Sequence, residues 1–304
     1  MNTREDDMPK ITSFINYKGG VGKTTLAVEV AASLAHKFGK KVLLVDLDPQ
    51  TNATLSLIKF DEWENWARSN GSLKNLVEDY LLRRPPNELM FATQQAICTS
   101  LHFSITSPGC LHLLPSHLEL MNVDLDIADF FGAYSLEGLR ILSAILTPIS
   151  DSYDYIILDC PPNLGLITQN AMMISDSIIV VSMPDYLSVI GIGVLENAVT
   201  EFTRRVNQRL KLLRTSFQGP AIKGIVFNRI RYLTGGTSHE EKMIVRVEGQ
   251  YPALVFQPPA RVSFSTKISE RSEVGIPIAI SGYAADRDYE AQIRAVADEF
   301  QRRV

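Results

Sequence analysis

Short runs of continuous apolar residues recur along the chain. They alternate with longer stretches in which apolar residues return every three or four positions. The short runs have the length and the Val, Ile and Leu content of strands buried on both faces, and the longer stretches have the period of amphipathic helices. Residues 11–15 form the first run, and a helical pattern follows from Thr24, with apolar positions spaced through 26–38 and Gly39 as a suitable C-cap. Residues 41–46 (KVLLVD) read as a second strand, which Pro49 stops, leaving Thr51 or Asn52 to cap another helix. Further strands are expected at 111–115, 153–162, 177–184 and 221–228, and helices at 136–146, 187 to about 213, and 284–304. The last helix carries Tyr289, Ile293, Val296, Phe300 and Val304 on one stripe.

Residues 61–107 are the least patterned. Trp63 and Trp66 stand at helical i and i+3 spacing, which favours packing, and Arg83, Arg84, Pro85 and Pro86 break one helical segment from the next. No internal repeat, low-complexity tract or Gly/Ser linker divides the chain. Strand alternating with helix predicts one α/β domain, a mostly parallel twisted sheet with helices on both faces. Residues 1–10 (MNTREDDMPK) form a polar N-terminal tail and 11–304 the domain.

Composition narrows the function classes. No apolar run approaches the ~18 residues of a membrane span, and the tail is neither a signal nor a transit peptide, so a cytoplasmic location is expected. Cys98, Cys110 and Cys160 are odd in number and lack C-x-x-C spacing, which argues against a disulfide framework and a zinc site. The five histidines form no metal-binding pattern. The net charge of −4 is uneven: 201–271 carries thirteen Lys/Arg against five acids, net +8, leaving −12 for the rest. A basic surface for a polyanion is one consequence.

The candidate chemistry starts at residues 11–25, ITSFINYKGGVGKTT, where a buried strand runs through a glycine-rich turn into a helix. Gly19, Gly20 and Gly22 let the backbone curl without Cβ clashes, so that successive N–H groups, Val21's included, face one anion. The helix start at Thr24 and Thr25 adds free N–H groups and the positive end of its dipole. Lys23 supplies a charge for β- and γ-phosphates, and the Thr24 hydroxyl is a ligand for Mg²⁺. Together they make a P-loop NTPase site for a nucleoside triphosphate.

The loop reads K-G-G-x-G-K-T, with Tyr17 where the ordinary loop has its first glycine, and resembles the deviant Walker A motif of the ParA/Soj/MinD ATPases, nearest to the ParA-like partition and positioning members. Three more segments match that family in order: VDLDPQTNAT at 45–54, ILDCPP at 157–162 and GIVFNRI at 224–230, with a family-variable insertion at about 60–107. The resemblance implies that Lys18 crosses to the ATP of a partner subunit in a sandwich homodimer, that Asp48 orients the attacking water, and that Asp46 and Asp159 serve the Mg²⁺ site. It places Asn228 on the adenine and Pro258 and Pro259 near the base loop, although Pro-Pro-Ala departs from the family's usual Pro-Arg. It also implies nucleoid association, non-specific DNA binding and a ParB-like or other adaptor that stimulates slow hydrolysis, on the order of 10⁻³ s⁻¹ unaided. Arg204, Arg205, Arg229, Arg231, Arg261, Lys267 and Arg271 are the candidates for phosphate contacts to DNA.

Three rival readings share the fold. A MinD-like membrane switch would want a basic amphipathic C-terminal segment, whereas the last helix carries Asp286, Asp288, Glu290, Asp298 and Glu299. A metabolic ATP-dependent enzyme, such as a nitrogenase-like iron protein or a ligase, would bring paired cluster cysteines or a second catalytic constellation. A bacterial tyrosine kinase would end in clustered tyrosines.

Overall fold

The apolar runs become six parallel strands, β1 (Lys10–Ile15), β2 (Lys41–Asp46), β3 (Cys110–Leu114), β4 (Tyr155–Asp159), β5 (Ser177–Ser182) and β6 (Ala221–Phe227), ordered β3-β2-β4-β1-β5-β6. The computed structural model describes residues 8–105, 108–132, 135–232, 239–267, 270 and 274–304. Successive strand residues point to opposite faces, both covered, which is why the runs are mostly apolar; the buried hydroxyls of Thr12 and Ser13 in β1 are satisfied by those of Ser177 and Ser175. Val42, Leu44, Ile157, Ile179 and Val226 join one core, and Leu43, Val45, Ile156, Ile178 and Ile225 the other.

The first core is closed by α1 (Lys23–Phe38) and, late in the chain, by α11 (Ile278–Ser281) and α12 (Arg287–Arg303). Tyr289, Ile293, Val296 and Phe300 of α12 are all buried there, as their stripe predicts. The second core lies under α4 (Leu73–Leu81), α5 (Pro86–Ala96), α6 (Val123–Phe131), α7 (Ile141–Leu146), α8 (Leu166–Ile174), α9 (Tyr186–Leu210) and α10 (His239–Gln250). The obscure stretch after residue 60 is α3 (Phe60–Asn70), α4 and α5. Both tryptophans there pack, with Nε1 of Trp63 donating to the Ser116 carbonyl and that of Trp66 to the Ala96 carbonyl, each at 3.1 Å.

Three expectations change in detail. Thr51 stands before a single helical turn, α2 (Asn52–Leu55), at φ 57 and makes no side-chain cap bond; the turn is held instead by Asp46, which accepts from the N–H and hydroxyl of Thr54. The strand expected at 153–162 ends at Asp159, because Pro161 and Pro162 have no N–H to offer a ladder. Residues 136–146 split into a tight turn, Gly138–Arg140, and the short α7.

Candidate functional site

The glycine-rich turn leaves the C-terminal end of β1, which lies between β4 and β5, so the loop emerges where ligands meet parallel sheets. Gly20 and Gly22 are left-handed at φ 75 and 88, a conformation that L side chains resist. At Gly22 a Cβ would also collide with Nδ2 of Asn228. The turn is anchored from below by Asn16, whose amide donates to the Val181 carbonyl and whose Oδ1 accepts from the Lys18 N–H. No side chain caps α1, so its first N–H groups face the loop's concavity.

Register brings the acids together. Asp46 at the end of β2 pairs directly with Asp159 at the end of β4, and both are fully buried. Asp46 is satisfied by Thr54 and by the N–H of Asp48. Among the described residues neither carboxylate oxygen of Asp159 has a hydrogen-bond partner. Burial, followed by the neighbouring Asp46 charge, pushes Asp159 upward, while the nearby Thr24 hydroxyl and the Lys23 charge act against them. Lys23 is buried as well; desolvation lowers its pKa against the pull of Asp159 and Asp48. An unpartnered buried carboxylate beside a threonine hydroxyl and a second acid suits a hard dication with oxygen ligands, so the donor set of Thr24, Asp46 and Asp159 fits Mg²⁺.

Above these acids opens a cleft of about 550 Å³, walled by Gly19, Gly20, Gly22, Lys23, Thr24, Thr25, Asp48 and Pro162, among others. Asp48 is held at its rim by the Gln50 N–H, donated to Oδ1, and by the Ser116 hydroxyl, donated to its carbonyl. Val21 is buried, and its carbonyl accepts from the Asn228 amide at 3.0 Å, while Asn228 Oδ1 has no partner among the described residues. Pro258 and Pro259 are exposed, beyond the walls of this cleft. Lys18 lies half exposed with Nζ 2.7 Å from Asp185, a residue that also caps α9 by accepting from Ser188. Burial pushes Asp185 upward, but the bonds from Lys18 and Ser188 leave its carboxyl below the usual range.

The basic residues that are described each have a partner within the chain. Arg204 and Arg205 are exposed on α9, and both bond Glu201. Arg229 reaches the phosphate loop, donating to the Gly20 carbonyl at 2.9 Å. Arg229 and Arg231 share the ring of Phe264, at 5.4 and 4.9 Å. Arg261 is committed to Glu248, and Lys267 to the Ala285 carbonyl. Arg271 lies outside the described residues. The sequence offered a weak signal for Asp185, whose D-x-x-S spacing is a helix cap, and none that could place it or Arg229 against residues 18–20.

A family model, AAA_31, described as an AAA domain, matches residues 9–212. The chromosome partitioning protein ParA of Myxococcus xanthus is 31% identical over 273 residues, 88% of this chain and 80% of that protein. Among solved structures, an ATP complex of a Cyanothece McdA variant superposes with a TM-score of 0.66 at 22% identity, covering 95% of this chain and 96% of that one. Cobyrinic acid a,c-diamide synthase of Mycobacterium smegmatis, with an ATP analog and magnesium bound, gives 0.65 at 23% identity, covering 97% and 94%. At these identities the two structures share the fold. With two thirds of its length inside the family model and nearly nine tenths aligned to a ParA, the chain belongs to the ParA-type partition ATPases.

Proposed function

We propose that this chain is an ATP hydrolase that positions DNA or another cargo, switching between an ATP-bound homodimer that holds DNA without sequence preference and a released form. The observation that carries the reading is the convergence, at the ends of β1, β2 and β4, of two left-handed glycines, the buried Lys23 and the unpartnered Asp159. The loop N–H groups and Lys23 bind the triphosphate, and Thr24, Asp46 and Asp159 hold Mg²⁺, which when bound neutralises charge on the phosphate oxygens. Asp48, at the rim of the cleft, orients the attacking water. Asn228 and the segment of Pro258 and Pro259 lie on the base side. Lys18 leaves Asp185 and reaches the nucleotide of the partner subunit.

A site built from one water-orienting carboxylate and these cations turns over slowly, and a ParB-like or other adaptor accelerates it. The McdA–ATP complex supports ATP as the substrate, and the synthase structure, with an ATP analog and magnesium, supports magnesium beside it. No helix among the described residues is long and apolar enough to cross a membrane.

Sedimentation with and without Mg-ATP tests the switch. The wild type is expected to dimerise with ATP, Lys18→Ala to bind ATP yet stay monomeric, and Asp48→Ala to accumulate as an ATP-loaded dimer with turnover reduced at least tenfold. An ATP-loaded wild type that remains a single subunit, or normal turnover in Asp48→Ala, would overturn the mechanism.

A further inference from the structure

Arg229 occupies a position that a DNA-facing side chain has no need of. It is non-glycine at φ 59, a left-handed backbone that disfavours any Cβ, and one residue earlier Asn228 already grips the phosphate loop. The strain is fixed by its surroundings. The Ile230 N–H donates to the Val262 carbonyl and the Phe264 N–H to the Ile230 carbonyl, so residues 228–230 and 262–264 are zipped together. That zipper sets the Phe264 ring under the guanidinium, at 5.4 Å, and aims the Arg229 side chain back over the loop to the Gly20 carbonyl.

Arg229 also forms part of the wall of the cleft that Lys23, Thr24 and Asp48 line. Among the described residues no carboxylate pairs with it. A planar guanidinium carries five N–H donors, of which the Gly20 carbonyl takes one. A planar fork that is held on an aromatic face and tied to the phosphate loop, with no paired carboxylate, matches phosphate oxygens and suits no apolar ligand.

We propose that Arg229 is a third cation of the triphosphate site, contributed in cis, which contacts the nucleotide phosphates and at the same time holds the loop's carbonyl at Gly20 turned away from them. This assignment rests on the triphosphate reading of the cleft and moves Arg229 from the DNA surface to the nucleotide. Arg231, on the same ring but not a wall of the cleft, is the internal control.

The test is calorimetric titration of the full chain with Mg-AMPPNP and Mg-ADP at two salt concentrations, alongside thermal melting. Arg229→Gln is expected to weaken AMPPNP binding at least tenfold and to flatten its salt dependence. Arg229→Lys is expected to restore the salt dependence and part of the affinity, and Arg231→Gln to stay within twofold of wild type. A residue that merely braced the loop would lower the melting temperature and affinity without changing the salt dependence, and that result overturns a phosphate contact. So does an Arg229→Gln chain that binds nucleotide within twofold of wild type, or one whose loss is confined to duplex DNA. A wild-type chain that binds neither nucleotide overturns the triphosphate reading itself, and this assignment with it.

Discussion

Gly22 and Asn228 illustrate how closely single residues set this site. A Cβ at Gly22 would run into the Asn228 amide, on a backbone at φ 88. Gly22→Ala is therefore expected to lose at least tenfold in ATP affinity and about 1–2 kcal/mol of stability from the left-handed backbone, with the clash added. Removing the obstacle in Gly22→Ala/Asn228→Ala should recover part of the clash but none of the backbone strain, so the two changes will not add. Calorimetry and melting of Gly22→Ala, Asn228→Ala and the double variant check this; full additivity would mean that the clash is relieved some other way. Lys18 and Asp185 show the opposite case, a half-exposed pair of the kind that contributes about 1 kcal/mol at most, so this tether is weak enough to permit the exchange that the proposed dimer requires.

At the scale of elements, α1 does more than present the phosphate loop. Its fully buried Glu29 accepts the N–H groups of Ile278 and Ala279, both at 2.8 Å, and so holds the short α11 and the segment leading to α12 against the back of the nucleotide site. Burial pushes Glu29 up to about 7 from its ordinary 4.5, against those two bonds and with the help of the Asp286 charge. Tyr289, buried beside them, is pushed up in turn by burial and by Glu29. Because the folded chain keeps a proton at Glu29 that the unfolded chain has released, this contribution to stability is fully present below about pH 4.5 and lost as pH rises through about 7. Melting across that window should show the decline in wild type and a flatter profile in Glu29→Gln. The glutamine variant should be less stable at low pH by about 1–3 kcal/mol, since its NH₂ faces one of the two backbone donors. An unchanged pH slope in the variant would mean that other groups set it.

For the whole molecule, charge asymmetry is the property that reaches furthest from the nucleotide. In α9, Glu201 pairs with both Arg204 and Arg205 and offsets one of their two charges. If these arginines serve DNA phosphates, Glu201→Gln should tighten duplex binding a few-fold at low salt. Arg204→Gln/Arg205→Gln should weaken binding and reduce the log–log salt slope by roughly 0.9 for each phosphate that is no longer neutralised. Filter binding over a salt series with and without ATP reads both, and a slope unchanged in the double variant removes α9 from the interface.

The strands were legible because a sheet buried on both faces favours short, mostly apolar runs, and the phosphate loop because its glycines and lysine have few other uses together. The helices α6, α8 and α10 were not, each for its own reason. Leu166–Ile174 is apolar on too many sides to show a period, Val123–Phe131 is short, and His239–Gln250 buries few residues, Ile244 and Val247 among them. What residue order determined was therefore the parallel α/β plan and the anion-binding turn, since both follow from local spacing and backbone freedom. What only folding decided was which distant groups meet that turn. The pairing of β4 and β2 sets Asp159 against Asp46, β5 beside β1 gives Lys18 its Asp185, and the zipper after β6 brings Arg229 to Gly20. Those meetings depend on strand order and register, which join residues more than a hundred positions apart across a few ångströms and leave no periodic trace in the chain.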